Sequence, residues 1–94
     1  MEANKQLILV EHFCTWHEVN PVFVHSLREY GLVNIILQDD AEYFEEEQLP
    51  ELEKMIRLHY EMDINIEGIE AINHLLQKIH SLQDEIQLLK NRAF

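Results

Sequence analysis

Two imidazoles and a thiol fall within six positions of each other at His12, Cys14 and His17, the residue types of a metal or redox site. The segment that carries them reads as helix, where roughly 100° per residue sends positions 12 and 14 to different faces and spoils a three-ligand site. Cys14 is better explained as a small buried apolar residue. His59 with Tyr60, His74 and His80 are scattered along helical stretches at surface or edge positions. No nucleophile with its base and orienter, no Gly-rich phosphate loop and no paired ligand motif occurs. The sequence therefore points to no catalytic residue, no metal, no cofactor and no enzyme, and the chemistry to look for is that of surfaces.

Ninety-four residues suffice for one domain, and 47% hydrophobic with only four Gly and Pro positions is the composition of a folded, mainly helical chain. The longest uncharged apolar run, Leu7 to Val10, is far short of the roughly 20 residues that cross a bilayer, and no basic leader precedes a long apolar segment. The single cysteine has no internal disulfide partner. The expected location is cytoplasmic, with no membrane contact. The formal net charge of -11 repels polyanions and attracts basic surfaces, which favours a basic protein partner over nucleic acid.

The elements that must present such a surface follow from periodicity and capping. Val10 to Glu18 reads as a first helix, with Val10, Phe13 and Cys14 on one face. Asn20-Pro21 starts a second helix, Asn as the cap and Pro where no N–H is missed, running to Tyr30 and ending at Gly31. Leu32 to Leu37 is rich in β-formers, Asp39-Asp40 is a turn, and Glu42 to Phe44 pairs back to make a hairpin wing. Leu49, Leu52, Met55, Ile56 and Leu58 recur at helical spacing in a third helix from about Glu46 to Met62, with Pro50 marking its true start or a distorted first turn. Asn65 caps a long last helix from Ile66 to about Arg92. Gly68 inside it costs about 1 kcal/mol relative to Ala and so implies close packing.

On that last helix Ile72, Leu75, Ile79, Leu82, Ile86 and Leu89 alternate spacings of three and four, the seam of a coiled coil over almost three heptads. These six are the expected interface of a homodimer, through antiparallel pairing of the helices. The competing expectation is a seam closed against its own domain. The chain thus divides into a region at 1–64 and a dimerisation helix at 65–94 within one structural unit.

The order of helix, helix ending in Leu27-Arg28-Glu29-Tyr30-Gly31-Leu32-Val33, wing ending in Glu42-Tyr43-Phe44, helix and capped coiled-coil helix resembles the MerR-like winged helix-turn-helix family over nearly the whole chain. The fold expected is mainly α, with a short β-hairpin wing and a long C-terminal coiled-coil helix. Within that family, Val10-Glu11-His12-Phe13-Cys14 and the more specific Ile56-Arg57-Leu58-His59-Tyr60-Glu61-Met62-Asp63-Ile64-Asn65-Ile66-Glu67-Gly68-Ile69 resemble the CbpM-type chaperone modulators. The resemblance implies a non-catalytic protein that binds and inhibits the J-domain of a DnaJ-like co-chaperone by covering a basic helix. The alternative it leaves is a MerR-like transcriptional regulator that binds DNA.

Residue types argue against DNA. Between Asn20 and Gln48, where a recognition helix and wing would lie, Arg28 is the only Lys or Arg, against Glu29, Asp39, Asp40, Glu42, Glu45, Glu46 and Glu47. Phosphate neutralisation and guanine readout both need cations. A stripe gathering Lys5, Arg28, Lys54 and Arg57 would reverse that argument. With Val24 and Leu27 on the core face of the second helix, Val22, Phe23, Ser26 and Tyr30 are expected outward. Together with Trp16 they form a candidate partner-binding patch, unless Trp16 and Phe23 pack against the wing or a second subunit. Glu45, Glu46 and Glu47 are either partner contacts or acids facing the positive end of a helix dipole.

Overall fold

The computed structural model describes residues 6–93. Its elements are β1 (Leu7–Leu9), α1 (Val10–His17), α2 (Pro21–Glu29), β2 (Ile36–Gln38), β3 (Ala41–Glu45), a 3-10 turn (Glu46–Gln48), α3 (Leu49–Tyr60) and α4 (Ile66–Arg92). The fold is mainly helical with a small antiparallel sheet in the order β1-β3-β2 and a long C-terminal helix. Asn20 caps α2 by accepting a hydrogen bond from the Val22 N–H at 2.9 Å, and Gly31 follows the helix with φ of 73°. Those two residues set the boundaries of α2 expected of them.

The wing differs from expectation in two ways. Residues 32–35 do not extend the strand, because Gln48 holds both backbone groups of Asn34: its Oε1 accepts from the Asn34 N–H and its Nε2 donates to the Asn34 carbonyl, each at 2.8 Å. A side chain thus takes the place of a ladder neighbour, and the β-forming residues there serve the core instead, Val33 buried and Leu32 and Ile35 packed against it. The second difference is a third strand. Leu7–Leu9 pairs with β3, setting Ile8 against Phe44 and Leu9 against Tyr43.

The core sits where α1, α2, α3, β3 and the first turn of α4 meet. Phe13, Phe44, Leu27, Leu52, Ile69 and Val24 are its largest fully buried side chains. Phe13 meets Phe44 edge-on at 5.4 Å, which locks α1 to the central strand. The helix expected from Glu46 begins instead with the 3-10 turn, and Pro50 stands in the first turn of α3, where its missing N–H leaves no gap.

Helix α4 starts at Asn65, whose Oδ1 accepts from the Gly68 N–H at 2.8 Å. A Cβ built on Gly68 would lie 2.7 Å from Ile64 Cγ2 and 3.2 Å from Asn65 Oδ1, so the close packing that this glycine implied is present. Tyr30 Oη donates to Glu67 Oε2 at 2.8 Å and ties the end of α2 to the start of α4. Beyond Leu76 every described residue of α4 is exposed. The helix, about 40 Å long at 1.5 Å per residue, therefore extends well past the body of the domain.

Candidate functional site

Helix α2 rests on α3 through an aromatic stack. The Phe23 ring lies 4.2 Å from His59 and 5.7 Å from Tyr60, centre to centre. His59 is held in turn, its Nδ1 donating to the Ile64 carbonyl at 2.9 Å, while Tyr60 Oη accepts from the Asn20 N–H at 3.1 Å. Phe23 is only 8% exposed. The expectation that it faces outward is overturned, because α3 covers that flank of α2. The aromatic residues His59 and Tyr60, read from sequence as surface or edge positions, are what cover it.

The other expected patch residues divide. Trp16 at 78% and Val22 at 68% are the most exposed large apolar residues on α1 and α2, and the Trp16 ring stacks with His12 at 6.4 Å. Ser26 is half-buried, and Tyr30 lies at the edge of exposure, engaged with Glu67. That hydrogen bond is the main cause that raises the Tyr30 pKa above its ordinary value and lowers that of Glu67. Glu45, Glu46 and Glu47 sit at the base of the wing ahead of α3, at the opposite end of β3 from the Asp39-Asp40 turn.

On α4, Leu75, Ile79, Leu82, Ile86 and Leu89 are between 48% and 63% exposed, while Ile72 is partly covered by the domain. The stripe that docks α4 onto its own domain is a different one, carried by Ile66, Ile69 and Leu76. At roughly 100° per residue the two stripes lie on separate flanks of the helix. The seam is thus not closed against its own domain.

His12 and Cys14 take different faces of α1, His12 exposed and Cys14 buried, which raises its thiol pKa, and His17 stacks on Phe13 at 4.2 Å. Among the described residues no group of three His, Cys, Asp or Glu side chains is placed to hold a metal ion. Among the described residues no helix is long and apolar enough to cross a membrane. Of the cations that could have formed a stripe, Lys5 lies outside the described residues. Lys54 and Arg57 stand three residues apart on α3, Lys54 paired with Glu51 at 3.6 Å and Arg57 sharing a hollow with Glu53 and Glu61, so acids accompany both cations.

A groove that sequence reasoning missed lies between the wing and the β1–α1 junction. It encloses about 400 Å³. Leu37 contributes apolar surface to it and Glu11, Asp40 and Glu42 acidic residues, while Leu9 and Ala41, which the strand register puts on the other face of the sheet from Leu37 and Glu42, complete its margin. Glu42 is fixed there by His25, whose Nε2 lies 2.9 Å from its Oε1. The signal available beforehand was the pair Ile36-Leu37: in a strand, two consecutive apolar residues face opposite ways, so one of them must leave the core.

Comparison with known proteins agrees with the architecture. Two proteins named "Chaperone modulatory protein CbpM", from Pseudomonas putida (strain W619) and Pseudomonas entomophila (strain L48), are similar to the chain at 28% and 26% identity. Each match spans 80 residues, 84% of this chain and 79% of the relative. No solved structure matches. Residues 8–91, which take in every element from β1 through nearly all of α4, match the family described as MerR HTH family regulatory protein, and the chain belongs to that family as a CbpM-like member.

Proposed function

We propose that this protein is a non-catalytic chaperone modulator, a cytoplasmic homodimer that binds the J-domain of a DnaJ-like co-chaperone and inhibits it by occluding a basic surface. The observation that carries the reading is the inversion of charge on a helix-turn-helix scaffold. The α2 and wing region holds Arg28 against seven acids, and the similarity to CbpM proteins supplies the kind of partner such a surface would meet. The field of a chain at -11 would speed encounter with a cationic partner more than it sets final affinity.

The dimer follows from the open seam. Its spacings read the same in both directions, so an antiparallel pair sets Ile72 opposite Leu89, Leu75 opposite Ile86, and Ile79 opposite Leu82 in every layer. That arrangement also brings the basic end of α4, Lys90 and Arg92, toward Glu67 and Glu70 of the second copy, and opposes the two helix dipoles. Orientation is tested by mixing Ile79→Cys and Leu82→Cys chains under oxidation. Cross-linking between the two variants is expected, and cross-linking of each variant only with itself would mean a parallel pair.

Calorimetric titration of the purified protein with J-domains from its own cell tests the function. Saturable binding that lowers J-domain stimulation of the heat-shock chaperone is expected, and no binding to any of them rejects the assignment. Family membership favours one second reading, a MerR-like DNA-binding regulator. Tight, salt-dependent binding to duplex DNA near physiological ionic strength would select it and contradict the charge argument.

A further inference from the structure

Leu37 is 72% exposed on β2 and stands directly across the ladder from Glu42. It therefore shares a sheet face with a carboxylate that the His25 contact holds in place. Glu11, at the start of α1, and Asp40, in the wing turn, complete the acidic rim around the groove, whose margin Leu9 and Ala41 close from the other face of the sheet. No Lys or Arg lines it. Among the described residues neither Glu11 nor Asp40 enters a salt bridge.

We infer that this groove is a docking site for a cationic amphipathic segment of a partner protein, one that seats an aliphatic side chain against Leu37 and sets Lys or Arg beside Glu11 and Asp40. Charge decides among occupants. A second copy of a chain at -11 would bring like charge to an acidic rim, and a polyanion would be repelled. An exposed leucine among acids suits a partner with the complementary pattern, an apolar anchor ringed by cations. The inference rests on the proposed function for the partner's identity but adds the face, which that reading leaves open.

The wing turn permits a clean test. Asp39 and Asp40 have φ of 53° and 63°, the left-handed region that glycine occupies without steric cost. Asp39→Asn with Asp40→Gly therefore removes two charges while easing the turn, and thermal unfolding of the triple variant checks that adding Glu11→Gln, which takes an acid from the first turn of α1, leaves the domain folded. The set is wild type, Leu37→Ser, the triple variant Glu11→Gln/Asp39→Asn/Asp40→Gly, and Asp84→Asn on the distant, exposed part of α4. Each is titrated with an isolated J-domain at low and physiological salt with association and dissociation rates recorded.

For Leu37→Ser, dissociation about tenfold faster or more is expected from loss of a central anchor. The triple variant should associate about tenfold more slowly at low salt and show a flatter salt dependence, as loss of rim charge does. Asp84→Asn should match wild type. Wild-type binding that neither groove variant changes overturns the groove and leaves the proposed function standing. Failure of the wild type to bind overturns both.

Discussion

The open seam of α4 makes a quantitative prediction about Ile79. This side chain is 48% exposed in the single chain, so about half of its burial is still to be gained. Full burial of an Ile is worth roughly 1.5–3 kcal/mol, which leaves about 1 kcal/mol for each copy to gain on pairing. Ile79→Asp removes that gain twice, once from each subunit. It also asks two carboxylates to enter an apolar layer, at a further 1–3 kcal/mol each, roughly, or more for a charge. The dimer should weaken by about 4 kcal/mol or more, near a thousandfold in Kd. Because Ile79 lies outside the packed core, the folded body of the domain should survive the substitution.

Sedimentation equilibrium across a concentration series reads the outcome directly. Wild type should fit a dimer at low micromolar protein and Ile79→Asp a monomer. Circular dichroism supplies a second signal, because the described residues of α4 from 77 onward are all exposed and would gain support only from the second helix of the proposed dimer. Most helical stability in proteins comes from packing of an apolar face rather than from propensity, so the unpaired end should fray and helical signal should fall. A wild type that stays monomeric at high protein concentration, or a variant with unchanged mass and ellipticity, would refute the reasoning.

Gly68→Ala should destabilise the fold by about 1–2 kcal/mol, since a Cβ at 2.7 Å from Ile64 Cγ2 is overpacked and outweighs the better helix propensity of Ala; thermal unfolding checks the sign. Phe23→Ala should cost about 3–5 kcal/mol in chemical denaturation, the loss of a buried ring rather than of a surface contact. Tyr30→Phe should let the Glu67 pKa rise toward the ordinary carboxylate range, as followed by carboxyl NMR titration, because the Tyr30 hydroxyl is the main cause that lowers it. A carboxyl lowered in the folded state contributes stability above its unfolded pKa and loses it as pH falls through the folded value. The acid-side difference between wild type and Tyr30→Phe should therefore vanish at low pH. An unchanged Glu67 titration would mean that the hydrogen bond does not form in solution.

Capping and periodicity made most of the helical architecture legible beforehand. Asn20-Pro21, Gly31, Asn65 and the apolar repeats act within one turn of chain, so their outcome depends little on what folds elsewhere. The strand over 32–35 was misread for the opposite reason: its fate is decided by Gln48, fourteen positions on, whose amide takes both hydrogen-bonding groups of Asn34. Phe23 was misplaced by the same kind of distant event, since its outward position on α2 is outward only until α3 brings His59 and Tyr60 across it. The seam of α4 could be read as a repeat, but its exposure could not, because the docking stripe of Ile66, Ile69 and Leu76 belongs to the same helix.

The acidity of the wing turn is what the inferred docking of a cationic partner would account for. A two-residue hairpin turn with both central residues at positive φ is best served by Asn-Gly, and this chain uses Asp39-Asp40. Two adjacent carboxylates repel each other and lack the freedom of glycine, so the folded domain alone would gain from replacing them. Asp40 lines the same groove as Glu11 and Leu37, an aliphatic side chain left in water. An exposed leucine and a ring of acids each weaken an isolated domain slightly. Together they form the complement of a cationic segment with an apolar anchor, so stability of the turn and affinity for the partner should move in opposite directions when Asp40 becomes glycine.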